Sequence, residues 1–307
     1  MRNISLIFHS AVLISTPLLF AAAGGLFTEL AGMMNIALEG MLLAGAFSAI
    51  AAVSATGSVG AGIAAAIISS TCLALLTAWT TVKLKSNVFI AGLAANLLAG
   101  GLTIVMSQRL FNTRGVVMGR DLAALPVINI PLIKNIPFIG NLVSGFSLFT
   151  YAAWLLLLLA WIIINKTIFG YRLRACGTNA EVLRSLGIES NFYRYAAFLL
   201  SGILCGIGGS FLSLNLRAFV PNMSAGRGWI ALVIVLLGRR KPSGILIAAF
   251  IYSLAEAFSN YAQGIINIPS ELILAMPYVI TLLAITGVSI VTVRTAHAGK
   301  APRPAPH

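Results

Sequence analysis

The stretch GYRLRACGTNAEVLRSLGIE, residues 170–189, is a short polar segment between two long apolar ones. Thr178 and Glu181 have the spacing of a capping box, in which a threonine opens a helix and a glutamate three residues later bonds back to it. Gly187 is a typical residue at which a helix ends. The spacing therefore predicts a helix of about eight residues, which is marginal alone in water and needs a supporting surface. The apolar side chains between these signals share one face of that helix: Val182, Leu183 and Leu186.

The chain around this segment has the composition of a membrane protein. Of its 307 residues, 59% are hydrophobic and 9% are charged, whereas soluble domains carry roughly a quarter charged residues. The apolar segments lie at 5–27, 36–53, 60–82, 88–108, 148–165, 193–214, 229–238, 244–262 and 272–292. The sequence thus predicts an all-α polytopic membrane protein with about 8–10 transmembrane helices. The first of these segments is interpreted as a span rather than a signal peptide.

One apolar segment is too short to cross the membrane alone. Residues 229–238 follow Pro221, Gly226 and Gly228, which interrupt regular helix. Irregular backbone at membrane depth is tolerated where it lines a cavity or is buried in protein. We therefore predict a broken or re-entrant span at this place.

The charges indicate an orientation and exclude some functions. The net charge is +13, but the cations lie in loops between apolar segments, without the basic stripe that nucleic-acid binding requires. The Lys and Arg count places 166–192, the C-terminus and the segments around Lys83 and around 239–241 in the cytoplasm. It places the loop 109–147, the segment around Arg217 and the N-terminus outside. The three cysteines are scattered and the three histidines lie near the termini. No metal site, cofactor or histidine-based catalytic centre is therefore expected.

Three motifs resemble one family of transport proteins. They are ELAGMMNIALEGM at 29–41, GYRLRACGTN at 170–179 with LGI at 186–188, and GRGWIAL at 226–232 with LGR at 237–239. Together they are similar to ABC importer permeases of the branched-chain amino acid, simple sugar and nucleoside family, and the first motif is similar to nucleoside-type members. The resemblance implies a type II ABC importer-like fold. Its parts would be a single permease domain at 1–295, a cytoplasmic coupling loop at 166–192 and an Ala/Pro-rich tail at 296–307.

The resemblance also implies an assembly in the bacterial plasma (inner) membrane. Two permease subunits, alike or different, would form the path through the lipid, cytoplasmic ATPases would dock on the coupling helices, and an extracytoplasmic binding protein would deliver substrate. The sequence has no Gly-x-x-x-x-Gly-Lys-Ser/Thr phosphate loop. ATP hydrolysis is therefore expected on a separate polypeptide, and the chain is not expected to be an enzyme. The residues assigned to ATPase coupling are Gly177, Thr178, Asn179, Glu181, Leu183 and Gly187.

Polar side chains inside apolar segments are costly, so they face protein or water. Five of them are candidates for the substrate path: Asn35, Glu39, Asn96, Glu256 and Asn260. In one interpretation they exchange hydrogen bonds with ribose hydroxyls or base edges. In the other they tie helices together or stabilise a break near Gly32 and Gly40. Between Gly92 and Gly100, the face that carries Asn96 is smooth enough for close packing or for close substrate approach.

Several alternatives remain open at the level of sequence. A simple sugar such as a pentose, or riboflavin, is an alternative substrate within the same family. A proton-coupled secondary transporter is a different class, in which Glu39 and Glu256 would relay protons. A membrane-embedded enzyme is disfavoured because His, Asp and paired carboxylates are scarce. Arg227 is either a solvated loop residue or a contact for the binding protein or the substrate.

Overall fold

The computed structural model of the protein describes residues 2–119, 125–128 and 144–263, together with residue 279. The predicted span at 272–292, apart from that one residue, and the predicted tail at 296–307 lie outside the described residues. Ten α-helices follow one another in the described part: α1 (Arg2–Leu30), α2 (Leu38–Thr56), α3 (Val59–Ala78), α4 (Val88–Phe111), α5 (Leu148–Lys166), α6 (Ile168–Thr178), α7 (Ala180–Ser185), α8 (Ser190–Leu216), α9 (Arg227–Leu237) and α10 (Pro242–Ala262). A π-helical turn, Trp79–Lys83, extends α3. The strands have two residues each: β1 (Val117–Met118), β2 (Val127–Ile128), β3 (Phe146–Ser147) and β4 (Ala218–Phe219).

The lengths of the helices confirm a polytopic membrane protein. Seven helices of the described residues are long and apolar enough to cross a bilayer: α1, α2, α3, α4, α5, α8 and α10. In contrast, α9 has 11 residues and covers about 16 Å of a hydrocarbon layer that is about 30 Å thick. The broken span predicted at 229–238 is therefore confirmed, and its helix occupies 227–237.

The central helix of the bundle is α8, which packs on α1, α2 and α3. Its glycines allow these close approaches. An added Cβ would lie 2.6 Å from an atom of α3 at Gly202 and 2.7 Å from one at Gly206, and at Gly209 it would overlap the Leu42 carbonyl of α2. Small residues at such contacts let the backbones of transmembrane helices pack closely together. Because α8 follows α7 after a short turn, the predicted coupling loop connects directly to the centre of the bundle.

Two small antiparallel sheets join the segments that the charge pattern places outside. In one, β1 pairs with β4, with Val117 opposite Phe219. In the other, β2 pairs with β3, with Val127 opposite Ser147. Phe219 is buried and packs edge-on against Phe47 of α2, with 5.2 Å between the ring centroids. The first sheet therefore anchors the loop that leads from α8 into the half-span α9.

Candidate translocation site and coupling segment

Residues 31–37 link α1 to α2 without helical structure. Gly32 has a φ of +76°, a backbone conformation that favours glycine. Asn35 is buried, and its Oδ1 accepts a hydrogen bond from the Ala37 N–H at 3.1 Å. Its Nδ2 donates to Ser201 Oγ of α8 at 2.9 Å. Asn35 thus folds the link on itself and fastens it to the central helix.

Asn96 of α4 holds the same link from another side. Its Oδ1 accepts the Gly40 N–H at 2.8 Å, and its Nδ2 donates to the Ile36 carbonyl at 3.0 Å. These bonds are possible because α4 comes very close: an added Cβ at Gly92 would lie 2.5 Å from the Ile36 side chain. At Gly100 an added Cβ would meet no described atom within 4 Å. The smooth face predicted on α4 is therefore a packing face at Gly92 and Asn96, and Gly100 lies beyond the contact.

Glu39, in the first turn of α2, caps the half-span α9. Its two carboxylate oxygens accept the N–H groups of Gly226 at 2.8 Å and of Gly228 at 2.7 Å. The first N–H groups of a helix have no partner within the helix and carry partial positive charge, which favours a carboxylate at this position. At Gly228 an added Cβ would overlap the Glu39 backbone. The starts of α2 and α9 therefore meet, and one side chain holds them together.

Three of the five predicted path residues meet at this break, and we call them the polar junction: Asn35, Glu39 and Asn96. Their side-chain oxygens and amide nitrogens bond to backbone groups or to Ser201. This arrangement matches the interpretation in which they tie helices together at a break. Each of the three side chains already bonds to atoms of another helix or of the α1–α2 link, so these hydrogen bonds serve the packing of the bundle.

Glu256 of α10 lies apart from the polar junction and faces α9. Its Oε1 is 3.5 Å from Nη2 of Arg227, the first residue of α9, and the two side chains are 21% and 22% exposed. Nη1 of Arg227 also donates to the carbonyls of Met223 at 3.3 Å and Ser224 at 3.5 Å. Asn260, one turn beyond Glu256, is exposed. The structure therefore divides the predicted path residues into two groups.

The polar segment after α5 forms two helices, α6 and α7. Asn179 is the N-cap of α7, because its Oδ1 accepts the N–H groups of Glu181 at 3.1 Å and Val182 at 3.2 Å. Thr178 is the last residue of α6, and its hydroxyl donates to the Arg174 carbonyl at 2.9 Å. The capping box predicted at Thr178 is therefore wrong, and α7 begins one residue later. The threonine hydroxyl bonds to the preceding helix, and asparagine is a better N-cap than threonine.

The end of α7 lies where the sequence predicts it, but the apolar face is divided. Gly187 has a φ of +74°, and its N–H and that of the next residue bond back to carbonyls of the last turn. Leu183 is 4% exposed and packs on the bundle, whereas Val182 is 54% and Leu186 is 69% exposed. Leu183 therefore holds α7 in place, and the other two apolar side chains face outward, away from the described bundle.

The end of α6 rests directly on the link between α1 and α2. An added Cβ at Gly177 would lie 2.8 Å from the Gly32 nitrogen and would overlap the last carbonyl of α1. The neighbouring Cys176 is buried, with its Sγ 3.4 Å from the Ser190 carbonyl. Burial raises the pKa of the Cys176 thiol, although the nearby Arg194 guanidinium acts in the opposite direction. The thiol thus remains protonated and serves as a packing group at this contact.

An ion pair joins the end of α1 to the turn between α9 and α10. Nη2 of Arg240 lies 2.7 Å from Oε1 of Glu29. Arg239 and Arg240 adopt φ values of +52° and +57°, which turn the chain sharply before α10. The end of α1, the helix α6 and this turn therefore lie at one end of the bundle, the end that the charge pattern assigns to the cytoplasm.

The sequence matches a known family over most of its length. The family is described as branched-chain amino acid transport system / permease component, and the match covers residues 7–285. The chain belongs to this permease family.

Individual relatives agree with this assignment. The nucleoside ABC transporter permease protein NupC of Lactococcus lactis is 30% identical to this permease over 295 residues, which is 92% of each chain. The guanosine ABC transporter permease protein NupQ of Bacillus subtilis is 29% identical over 297 residues, again 92% of each. The putative glucose ABC transporter permease protein TsgC13 of Haloferax volcanii is 29% identical over 260 residues, covering 84% of this permease and 78% of the relative.

Two solved structures share the fold of the permease at 14% sequence identity. An inward-facing conformation of a putative metal-chelate type ABC transporter gives a TM-score of 0.53 and covers 91% of this chain and 85% of its own. PsaBC from Streptococcus pneumoniae in complex with Fab gives a TM-score of 0.50, with coverages of 90% and 89%. At this identity the likeness concerns the fold alone. It confirms the predicted fold of a multi-pass ABC transporter permease.

The permease also has an apolar groove between α1, α5 and α10, with a volume of about 600 Å³. Among the described residues, its lining is aliphatic or aromatic apart from Ser15 and Ser243, and includes Trp154 and Trp161. A polar solute needs several convergent hydrogen-bonding groups. The groove is therefore not a candidate site for such a solute, in contrast to the surroundings of Glu256.

The sequence indicates Arg227 as a candidate substrate contact, but it predicts neither the pairing of Arg227 with Glu256 nor the part played by Ser201. Ser201 receives the Asn35 hydrogen bond, and Arg227 pairs with Glu256. Glu256 is a lone carboxylate within an apolar span, and such a group needs a cation or a hydrogen-bond donor as partner, which is the feature of the sequence that could have indicated the pairing with Arg227. For Ser201 there was no comparable signal, since a serine in an apolar helix is common.

Proposed function

We propose that this permease is one of two membrane subunits of an ATP-driven importer of nucleosides in the bacterial plasma membrane. The observation that carries the proposal is its similarity to two permeases named for nucleosides and guanosine over about nine-tenths of its length. A simple sugar is the second candidate substrate, because a putative glucose permease is similar over a slightly shorter region.

In this proposal residues 1–295 form one permease domain and 296–307 its cytoplasmic tail. The polar junction satisfies irregular backbone at membrane depth, where water is absent. Glu256 and Asn260 contact the solute, because both side chains are accessible in the described bundle. The permease thus combines a fixed polar framework with a partly open polar surface.

A separate ATPase docks on α7, according to the same proposal. Val182 of α7 and Leu186, which follows the last residue of α7, are both exposed apolar side chains. Leu183 holds the helix on the bundle, and Asn179 and Gly187 fix its two ends. Docking would bury the exposed pair, which is the usual source of affinity at such contacts.

The remaining coupling residues have structural parts in this arrangement. Gly177 allows the end of α6 to contact the α1–α2 link. A displacement of α7 on ATPase binding would therefore be transmitted to the polar junction through this contact. Thr178 closes α6, and Glu181 adds a negative charge to the first turn of α7, where the helix dipole favours it.

The other partners occupy different surfaces. An extracytoplasmic binding protein approaches the end that carries the two small sheets. The second permease subunit and membrane lipid cover α4, where Ile90, Leu97 and Leu110 are 68%, 78% and 61% exposed. Large apolar surfaces of this kind indicate a lipid or protein neighbour rather than water.

Purification of the tagged permease from its native membrane, followed by mass spectrometry, tests the assembly. We expect a P-loop ATPase to co-purify, together with a second permease or a binding protein, and the ligand released from the binding protein to be a nucleoside. A bound sugar would select the second candidate. A permease that purifies alone and carries solute into liposomes on a proton gradient, without ATP, would refute the importer.

A further inference from the structure

The ion pair between Arg227 and Glu256 lies at membrane depth. The helix α9 has 11 residues and ends at the cytoplasmic turn, so Arg227 is about 16 Å from that end. Glu256 follows Pro242, the first residue of α10, by 14 residues, or about 21 Å. Both distances are shorter than the hydrocarbon thickness of about 30 Å. The two charges therefore lie inside the membrane, Arg227 near its middle and Glu256 towards its outer side.

The partial exposure of this pair indicates what it faces. The side chains of Arg227 and Glu256 are 22% and 21% exposed in the described bundle. Contact of an ionised group with lipid is strongly unfavourable, so intramembrane charges face a water-filled cavity or another protein. The exposed part of the pair therefore faces the path or its partner wall rather than the lipid.

Both members of the pair retain hydrogen-bonding groups that the described residues do not use. Nε of Arg227 is buried without a partner in this part of the chain, and so is the hydroxyl of Ser224. Within the same residues Glu256 makes no hydrogen bond or second ion pair beyond its 3.5 Å contact with Arg227. The pair between Arg240 and Glu29, in comparison, closes to 2.7 Å. Nη2 of Arg227 carries two N–H groups and has one described contact, so the pair offers a donor at Nη2 and acceptor sites on Glu256.

The polar junction fixes the position of the guanidinium group. Glu39 bonds the N–H groups of Gly226 and Gly228, the residues on either side of Arg227. The Arg227 backbone cannot move away from α2 without breaking these two bonds. Glu39 is therefore a positioning residue, which sets where Arg227 presents its donors.

We propose that Arg227 and Glu256 form a solute-binding station in the path, and that it takes the vicinal hydroxyl groups of a ribose. This inference rests on the proposed importer function. A carboxylate accepts hydrogen bonds from hydroxyl groups and a guanidinium donates to their oxygens, so a diol matches the two side by side. Because the pair is neutral overall, an uncharged solute avoids the repulsion that any ion would meet from one of the partners.

Comparison of a ribonucleoside with its 2′-deoxy analogue tests the station, because the analogue lacks one of the two hydroxyls. Uptake of uridine and of 2′-deoxyuridine is measured in liposomes that carry the complex co-purified with the tagged permease. In Glu256→Gln we expect uridine uptake to fall about tenfold and 2′-deoxyuridine uptake about twofold, since one charged hydrogen bond is lost for the diol. The quantity compared is the ratio of uridine uptake to 2′-deoxyuridine uptake. Dividing the ratio of each variant by that of the wild type removes the preference of the binding protein.

Two further variants complete the experiment. Arg227→Lys keeps the charge but loses the planar set of donors, so it should change the uptake ratio in the same direction, and it carries the test if Glu256→Gln fails to assemble. Glu29→Gln is the matched control, because it makes the same change in the ion pair with Arg240 at the cytoplasmic end. We expect it to leave the ratio unchanged.

The outcomes separate this inference from the function on which it rests. An unchanged ratio, or an equal loss for both nucleosides, in an assembled complex with Glu256→Gln would overturn the station and leave the importer standing. Failure of the wild-type complex to take up either nucleoside with ATP would overturn the proposed function itself.

Discussion

Glu39 is the residue on which the meeting of α2 and α9 depends. Glu39→Gln would replace one carboxylate oxygen by an amide NH2, which donates rather than accepts and would face a backbone N–H. A hydrogen bond to a charged group contributes about 1.5–3 kcal/mol, so we expect the free energy of unfolding to fall by about this amount. The change is measured as the shift in the thermal unfolding temperature of the purified permease in detergent, where unfolding is monitored as the loss of the monodisperse species.

Glu181 provides the control for this substitution. It is exposed on α7, and its side chain makes no hydrogen bond or ion pair within the described residues. Glu181→Gln removes the same charge and should leave the unfolding temperature almost unchanged. Equal shifts in the two variants would mean that the Glu39 hydrogen bonds do not stabilise the bundle.

The sequence predicts part of the polar junction and misses the rest for a physical reason. Asn35 and Glu39 lie close together in the chain, so their spacing indicates a shared site. The acceptors and donors that they meet are remote: the Gly226 and Gly228 N–H groups lie 187 and 189 residues from Glu39. Local periodicity carries no information about such pairs, which arise only when the helices pack.

At the scale of elements, α7 should be the docking helix. Leu186 is 69% exposed, so Leu186→Glu changes the outer side of α7 without disturbing its packing. Burial of a leucine contributes about 1.5–3 kcal/mol, and its loss should weaken ATPase association about tenfold or more. Recovery of the ATPase with the tagged permease, measured at several concentrations, shows the change.

Leu84 is the matched control for this helix. It is 53% exposed in another predicted cytoplasmic segment, between α3 and α4, and Leu84→Glu should leave ATPase recovery unchanged. Leu183→Ala should act differently, by lowering the stability of the permease by about 2–5 kcal/mol, because Leu183 is buried. Undiminished recovery with Leu186→Glu would exclude α7 as the docking helix.

Helix lengths were easier to predict than helix ends. The half-span α9 follows from the mismatch between 11 residues and the membrane thickness, a comparison that needs no tertiary information. The predicted start of α7 differs from the observed one by one residue, because Thr178 and Asn179 are both suitable N-caps. Only the structure shows which side-chain oxygen accepts the free N–H groups of the first turn. The sequence also does not predict that Leu183 is buried while Val182 and Leu186 are exposed, because this depends on the surface against which Leu183 packs.

At the scale of the whole molecule, the contacts between segments can be compared with the membrane orientation that the Lys and Arg count predicts. Two segments that the charge count assigns to the cytoplasm, α6 with α7 and the turn 239–241, lie at one end of the bundle, because both contact the end of α1. The predicted outer loop 109–147 pairs through β1 with β4, which follows α8 in a different segment of the chain. The charge count and the packing are independent, and they agree on which loops share a side.

This orientation predicts which positions a membrane-impermeant thiol reagent reaches in intact cells. Cys72 is exposed whereas Cys176 and Cys205 are buried, so a Cys72→Ser background leaves little labelling of its own. In that background Ala55→Cys, at the predicted outer end of α2, should label at once. Ser86→Cys, in the predicted cytoplasmic turn before α4, should label only after permeabilisation. Both positions are exposed, which makes access to the reagent the main difference between them. Labelling of Ser86→Cys but not Ala55→Cys in intact cells would place α7 outside the cell, where a cytoplasmic ATPase could not bind it. That result would refute both the predicted orientation and the proposed importer.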